Sequence, residues 1–241
     1  MINEQELINK IKQKGYWKVI IRPTKFIANR FDDLGGCESP LIENRLSLRG
    51  WDYPHIEPIE VAGSDSIRSL CDWSAGPMYE AWRFYKNGMF VHLFSMREDL
   101  RLSDDQIASS IMQFGTLANR DIESLLDIIS TLYTVTEIFL FASNLAKNLI
   151  KDDMQIIIEL NMTKNRLLFF WGNPFRYLSM PYVCNYEPVK IEKTISYNEL
   201  MDNPNEIALD TTIEILKQFN WKNVKREMFI EDQRKFIEKH L

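Results

Sequence analysis

The chain has 241 residues, of which 45% are hydrophobic and 26% are charged, and its formal net charge is −5. These values are ordinary for a globular protein and exclude intrinsic disorder as the default. The length suits one large domain or two small ones. Three widely spaced cysteines and a polar, charged N-terminus predict reduced thiols in a cytoplasmic protein that carries no secretion signal.

The first half of the chain predicts short strands between irregular segments. Residues 3–14 predict a helix closed by Gly15. The extended run at 16–28 contains Pro23, which favours an edge strand or a break over a central strand. Residues 29–46 have the composition of a loop. Further short strands are expected at 46–51, 59–62 and 68–75.

A hairpin is the clearest local prediction. Asn87-Gly88 joins two aromatic, roughly alternating runs within residues 78–99, and Asn-Gly between apolar runs is the strongest short-range hairpin signal. In strict alternation His92 shares a strand face with Phe90 and Phe94. A histidine in that position is more often part of the core than a ligand.

The second half predicts one long helix followed by strands and shorter helices. Residues 121–151 form the longest helical pattern, which we expect to be the central spine of the fold. It is not expected to cross a membrane, because polar residues such as Glu137 interrupt every apolar window of the required length. Other helices are expected at 103–115, where Ser103 and Gln106 predict a capping box, from 196, at 204–219 and at 228–240. A second hairpin is expected at 154–160 and 166–171, and a strand at 189–195.

Together these elements predict an α+β fold with a mainly antiparallel sheet, the Asn-Gly hairpin, a long central helix and C-terminal helices. We expect a single domain over 1–241. A subdivision into a strand-rich half, 1–117, and a second half, 118–241, is equally compatible with the pattern.

Positive charge is concentrated at the two ends of the chain. Residues 1–30 hold seven Lys and Arg residues against two Glu, and residues 217–241 hold seven against four acidic residues. If the ends lie side by side, they form a basic patch suited to nucleic acid. That contact would use Lys10, Lys12, Lys14, Lys18, Lys225 and Arg226. Lys-rich, solvated helix ends are the more common explanation.

Catalytic motifs are scarce. The sequence has no Gly-rich phosphate loop, no dinucleotide-binding turn, no zinc-protease helix and no nucleophile elbow. Cysteines and histidines have no compact metal-ligand spacing, so we predict no metal and no cofactor. A hydrolase remains one alternative, in which His55 or His92 would act with Glu80 or Glu98 as an acid–base pair.

Arginine and aromatic residues before and within the hairpin predict an interaction surface, because these residue types anchor interfaces. The candidate partner-binding residues are Arg49, Trp51, Asp52, Tyr53, His55, Trp82, Arg83, Arg97 and Glu98. The alternative is that the charged ends of the hairpin pair with each other across the strands and serve structure alone.

Three segments also resemble a known region of bacterial proteins. They are L-R-G-W-D-Y-P-H-I at 48–56, Y-E-A-W-R-F-Y-K-N-G-M-F-V-H-L-F-S-M-R-E-D at 79–99 and T-E-I-F-L-F-A-S-N-L-A at 136–146. The region they resemble often follows an AlbA/Schlafen-like DNA-binding domain. The resemblance covers residues 47–160 and rests on packing motifs. It implies a regulatory, sensing or scaffolding module of a prokaryotic system such as antiviral defence, and it carries over neither DNA binding nor a catalytic residue.

We therefore expect a non-catalytic protein-interaction or sensor module that contacts a protein partner or a second copy of itself. Nucleic-acid binding through the basic ends is the second hypothesis, and the hydrolase is the third.

Overall fold

The structure, a computed structural model, describes residues 2–56, 58–73, 78–115, 122–171 and 176–239. It confirms the α+β class. In chain order the strands are β1 (Tyr16–Pro23), β2 (Ile59–Val61), β3 (Ser66–Trp73), β4 (Met78–Tyr85), β5 (Phe90–Ser95), β6 (Ser124–Asp127), β7 (Met154–Asn161), β8 (Arg166–Phe169) and β9 (Val189–Ile195). The helices are α1 (Glu4–Lys12), α2 (Gly35–Asn44), α3 (Arg97–Arg101), α4 (Asp104–Met112), α5 (Ile128–Leu145), α6 (Tyr197–Asp202), α7 (Pro204–Gln218) and α8 (Glu227–Ile237).

Within the described residues, one antiparallel sheet has the strand order β2-β3-β4-β5-β1-β7-β9. Of the two alternatives for the run at 16–28, the edge position is wrong, because β1 pairs with β5 on one side and β7 on the other, and the break is correct, because the strand ends at Pro23. Pro23 is compatible with a central strand here because it is the last residue of β1, where the missing N–H interrupts no ladder.

The two faces of the sheet are covered by different helices. Trp17, Val19 and Ile21 of β1 belong to the main core, which also contains α5, α7 and the start of α8. On the opposite face α1 places Leu7 and Ile11 in a smaller cluster with residues of β3 and β4. The main core contains residues from both halves of the sequence, and the boundary considered at 117/118 lies outside the described residues.

The central helix is shorter than the sequence pattern predicts. Asp127 caps its N-terminus by accepting a hydrogen bond from Ser130 N–H at 2.9 Å, so α5 starts at Ile128. A π-helical turn, Ala146–Ile150, follows it. Residues 128–148 are long and apolar enough to cross a membrane by length and composition, but 67% of that window is buried inside the protein. Core packing therefore accounts for its apolar character.

Several other local expectations are wrong. Residues 35–44 form helix α2 within the predicted loop, and residues 46–51, all of them described, contain no strand. The expected second hairpin does not form, because β7 joins the large sheet and β8 pairs in parallel with β6. By contrast, Ser103 and Gln106 form the expected capping box at the start of α4.

The Asn87-Gly88 hairpin is confirmed: β4 and β5 are antiparallel, with Glu80 opposite Phe94 and Phe84 opposite Phe90. Gly88 has a φ of 87°, a left-handed conformation that a residue with a Cβ adopts at a cost. A Cβ there would lie 3.2 Å from Arg30 Cδ and 3.4 Å from Ile150 Cδ1.

Replacing Gly88 with alanine is therefore expected to lower the free energy of unfolding by about 1–2 kcal/mol. Gly63→Ala is the matched control, because Gly63 has a φ of 85° and a Cβ there would meet its nearest atom at 3.9 Å. Urea denaturation should show a larger loss for Gly88→Ala than for Gly63→Ala. Equal losses would mean that the neighbours of Gly88 contribute nothing.

Candidate functional site

A cavity of about 650 Å³ opens at one end of the sheet. Its walls come from β1, β3, β4, β5 and α3, from the first turns of α5, and from residues 49–56 and Pro58, which are called the cavity loop below. This volume is in the range of sites that bind small molecules. The cavity combines a cationic end, aromatic walls and a polar inner wall.

The cationic end consists of Arg49, Arg97 and Arg101, which line the cavity together with Trp51. The guanidinium carbon of Arg97 lies 4.4 Å from the centroid of the Trp51 ring, and that of Arg49 lies 5.1 Å from it. Such contacts hold a cation by electrostatic attraction to the π system. They orient the arginine side chains without using their N–H donors.

Arg49 is anchored by the core helix. Its guanidinium forms an ion pair with Glu137, and its Nη2 donates a hydrogen bond to Thr134 Oγ1 at 3.0 Å. Glu137 is fully buried in the middle of α5, and the Arg49 side chain is 9% exposed. Burial raises the pKa of Glu137, and Arg49 acts against that shift. The pair explains the carboxylate that interrupts the apolar pattern of α5, and it fixes the cavity loop.

Arg97 differs from Arg49 because its guanidinium forms no hydrogen bond or ion pair with any residue that the structure describes. Its side chain is only partly exposed. Burial lowers the pKa of Arg97 to about 10, and repulsion from Arg101 and Arg49 adds to that shift. A half-buried charge without a partner is costly, and an anion in the cavity would stabilise it.

The side walls of the cavity are mainly apolar. Trp17 and Phe94 stack with their ring centroids 5.9 Å apart, and Tyr53 contacts Phe94 edge-on at 6.3 Å. Trp73 and Met78 complete these walls near the edge of the sheet. Trp73 is 55% exposed, so part of this aromatic surface faces solvent at the cavity mouth.

The polar inner wall contains a buried histidine–carboxylate pair. His92 Nε2 lies 2.8 Å from Glu80 Oε1, and His92 Nδ1 lies 3.4 Å from Tyr53 Oη. The same Glu80 oxygen accepts the backbone N–H of His55 at 2.8 Å. Both ring nitrogens of His92 therefore have partners, and the expectation that His92 belongs to the core is correct.

Two neighbouring carboxyl groups lie beside the cationic end. Glu98 Oε1 accepts the Asp127 N–H at 2.9 Å, and both side chains are buried. Burial, together with the charge of Asp127, raises the pKa of Glu98 to about 7. Burial also raises the pKa of Asp127. At neutral pH, Glu98 is therefore protonated in a substantial fraction of molecules.

Seven of the nine candidate partner-binding residues line this cavity: Arg49, Trp51, Asp52, Tyr53, His55, Arg97 and Glu98. The expectation that Trp82 and Arg83 share a surface with them is wrong. Trp82 is buried in the core, where its Nε1 donates to His55 O at 2.6 Å. Arg83 points to the opposite sheet face and pairs with Glu4 of α1. Alternation along β4 separates these two neighbours.

Sequence reasoning missed several members of the site. These residues line the cavity, but in the sequence they are far from the cavity loop or have no arginine or aromatic cluster around them. They are Trp17, Trp73, Met78 and Arg101. For Trp17 the strand face could have been predicted, because alternation in the predicted strand places every second residue on one face. No sequence signal indicated that this face lies beside the cavity loop.

The basic ends of the chain do not form one patch. Helix α1 covers one face of the sheet and α8 packs with the core on the other. Most of the candidate cations are also engaged internally: Lys10 pairs with Asp72, Lys18 with Glu159, and Arg226 with Glu206, while Lys14 donates to the backbone oxygen of Asp99. Lys12 and Lys225 are exposed.

Neither metal ligands nor reactive thiols form a site in the part of the chain that the structure describes. Among the described residues, no group of three or more His, Cys, Asp or Glu side chains could hold a metal ion. Cys37, Cys71 and Cys184 are free and buried, and burial raises the pKa of each thiol. A raised pKa disfavours the thiolate that nucleophilic chemistry requires.

Comparison with family models, with curated proteins and with solved structures finds no match for this chain. A function for the chain is therefore inferred from the geometry of the cavity.

Proposed function

We propose that this protein is a sensor module that binds a small organic anion in the cavity. The observation that carries the proposal is the Arg97 guanidinium, which lies in the cavity wall against Trp51 and has no anionic partner among the described residues. Isolated charges of this kind are stabilised by a ligand that supplies the missing carboxylate, sulfonate or phosphate oxygens.

The apolar walls support an organic ligand rather than a simple ion. Trp17, Phe94 and Trp73 offer aromatic surface for a flat or hydrophobic body. A cavity with few polar groups at fixed positions and much apolar wall is the usual form of a small-molecule site. Arg97 would orient the ligand, and the aromatic walls would contribute most of the buried area.

Binding is favoured over hydrolysis by the state of the histidines. His92 is buried with both ring nitrogens partnered, so it is not available to a substrate. The ring of His55 forms no hydrogen bond or ion pair with a carboxylate of any described residue. Nucleic-acid binding is the weaker binding hypothesis, because the basic ends lie on opposite faces of the sheet.

A sensor must transmit the bound state. We propose that a protein partner or a second copy of the chain contacts the cavity rim, where Trp73 and, in the cavity loop, Gly50 and Pro58 are exposed. The resemblance to regions that accompany AlbA/Schlafen-like domains supports this role in a prokaryotic regulatory or defence system. It supplies the biological setting, and the cavity supplies the physical basis.

Anilinonaphthalene sulfonate is a suitable probe, since it joins an aromatic body to one anionic group and fluoresces when it leaves water. The native protein is expected to bind one equivalent, with a rise in fluorescence. Arg97→Gln should weaken binding by about ten-fold or more, because a charged hydrogen bond contributes roughly 1.5–3 kcal/mol. Fluorescence titration measures both values.

Arg83→Gln is the matched control, since Arg83 lies in β4, which also contributes to the cavity, but pairs with Glu4 on the face of the sheet away from it. It should bind the probe like the native protein. Circular dichroism of both variants would establish that they are folded. Equal affinity of Arg97→Gln and Arg83→Gln, or no binding to the native fold, would contradict the proposal.

A further inference from the structure

We propose that the physiological ligand is a nucleoside monophosphate whose base carries an amino group. This inference rests on the proposed function and specifies the ligand class. Three features of the cavity carry it: the number of arginines at the cationic end, the aromatic walls, and a carboxylate on the polar inner wall.

The cationic end offers more donors than a single carboxylate needs. Arg97 and Arg101 both line the cavity, and neither guanidinium forms an ion pair or hydrogen bond with a described residue. One arginine suffices for a carboxylate, because its fork matches two oxygens. A phosphate monoester carries nearly two charges and three terminal oxygens, and so matches two guanidinium groups.

The local field also favours a strongly charged anion. The repulsion that Arg97 feels from Arg101 and Arg49 outweighs its attraction to Glu98 and Asp127. Asp127 is occupied at the N-terminus of α5, where it accepts the Ser130 N–H, and Glu98 accepts the Asp127 N–H. These carboxylates therefore leave the guanidinium groups of Arg97 and Arg101 available to the ligand.

The walls suit a planar heterocycle. Trp17, Tyr53, Trp73 and Phe94 line the space beside the cationic end. Bases stack on aromatic side chains irrespective of their identity, and each stacked base contributes appreciable binding energy. A saturated aliphatic ligand of the same volume would gain none of this stacking.

Glu80 makes the cavity selective among bases. Its hydrogen bonds with His55 N–H and His92 Nε2 both use Oε1, and neither involves Oε2. Glu80 lies opposite Phe94 in the sheet, and the Cα atom of Phe94 is no more than about 11 Å from that of Arg97, three residues later. Glu80, Arg97 and Arg101 line the same cavity. A carboxylate oxygen accepts hydrogen bonds only, so it selects an exocyclic amino group over a carbonyl.

Isothermal titration calorimetry of the full chain with nucleotides tests the inference. Adenosine monophosphate is expected to bind at one site. Adenosine should bind about ten-fold more weakly or worse, because the phosphate contacts are lost. Inosine monophosphate, which has a carbonyl in place of the amino group, should also bind at least about ten-fold more weakly. Inorganic phosphate alone should bind weakly, because it lacks the base.

A variant at Arg101 tests whether the arginines of the cationic end bind the phosphate. Arg101→Gln should weaken the monophosphate by about ten-fold and leave adenosine unchanged. Arg101 is exposed, so this variant is expected to fold. Arg83→Gln should bind both ligands like the native protein.

Several results would overturn the inference. Equal affinity for adenosine and its monophosphate would show that the phosphate does not contribute to binding. Equal affinity for the adenosine and inosine monophosphates would show that the amino group is not recognised. Tighter binding of a phosphorylated dinucleotide would assign the cavity to the end of a nucleic-acid strand. Binding of anilinonaphthalene sulfonate without binding of any nucleotide would reject the nucleotide and leave the proposed function standing. Failure of both ligands would reject both proposals.

Discussion

Replacing Arg166 with methionine is expected to lower the free energy of unfolding by about 3–5 kcal/mol. Arg166 is 1% exposed, and its two terminal nitrogens donate to both oxygens of Asp99 at 2.6 and 2.7 Å. It also donates to the backbone oxygens of Leu125 and Met162. The substitution leaves a carboxylate and two carbonyls without these donors in a poorly hydrated site, and that is the main cost. Urea denaturation measures the loss.

Arg234→Met is the control for this prediction, because Arg234 forms ion pairs with Glu231 and Glu238 on the exposed face of α8. It should leave the denaturation midpoint almost unchanged, since water solvates the remaining charges. In the Arg166→Met background, Asp99→Asn should restore part of the stability by removing the unpaired charge. Similar midpoints for Arg166→Met and Arg234→Met would show that the buried pair is unimportant.

The raised pKa of Glu98 is expected to make the fold less stable as pH rises and this carboxyl loses its proton. The pKa of this carboxyl is about 7 in the folded protein, against an ordinary value of 4.5. Between these values the folded state binds more protons than the unfolded chain, so the contribution is complete below about pH 4.5 and is lost through about pH 7. The shift corresponds to roughly 3 kcal/mol.

Glu98→Gln should remove this dependence, because the amide oxygen can still accept the Asp127 N–H without ionising. The variant should therefore be more stable than the native protein at about pH 8 and similar to it at about pH 5. Denaturation curves at both pH values, with the exposed Glu43→Gln as control, measure the difference. A gap between Glu98→Gln and the native protein that stays constant with pH would contradict the assignment.

Local signals predicted much of the fold. The Asn87-Gly88 turn, the Ser103 capping box and the strand at 189–195 follow from short segments whose chemistry is self-contained. Errors arose where tertiary pairing decides the outcome. Residues 124–127 continue a helical pattern, yet they form β6, because they pair in parallel with β8 and the carboxylate at the end of the strand caps α5.

The candidate site was predicted only in part, because tertiary contacts bring its segments together. The cavity loop and the end of the hairpin were identified from their own arginine and aromatic content. Their meeting around one cavity depends on Arg49 reaching Glu137, which is 88 residues away in the chain. Gly15 is a similar case: the pattern predicts that it closes the first helix, but α1 ends at Lys12, with Gln13 as its C-cap. Gly15 is needed for space instead, because a Cβ there would lie 2.2 Å from Arg166 Nη2.

The anchoring of the cavity loop has a consequence for the thermodynamics of recognition. Arg49 ties the loop to the middle of the core helix, paired backbone hydrogen bonds join Leu46 to Tyr53, and the His55 N–H is held by Glu80. A ligand thus enters a space whose wall has already lost its conformational freedom during folding. Association then requires little further ordering of the chain, and the free energy of contact is not offset by the entropic cost that a mobile lid would impose.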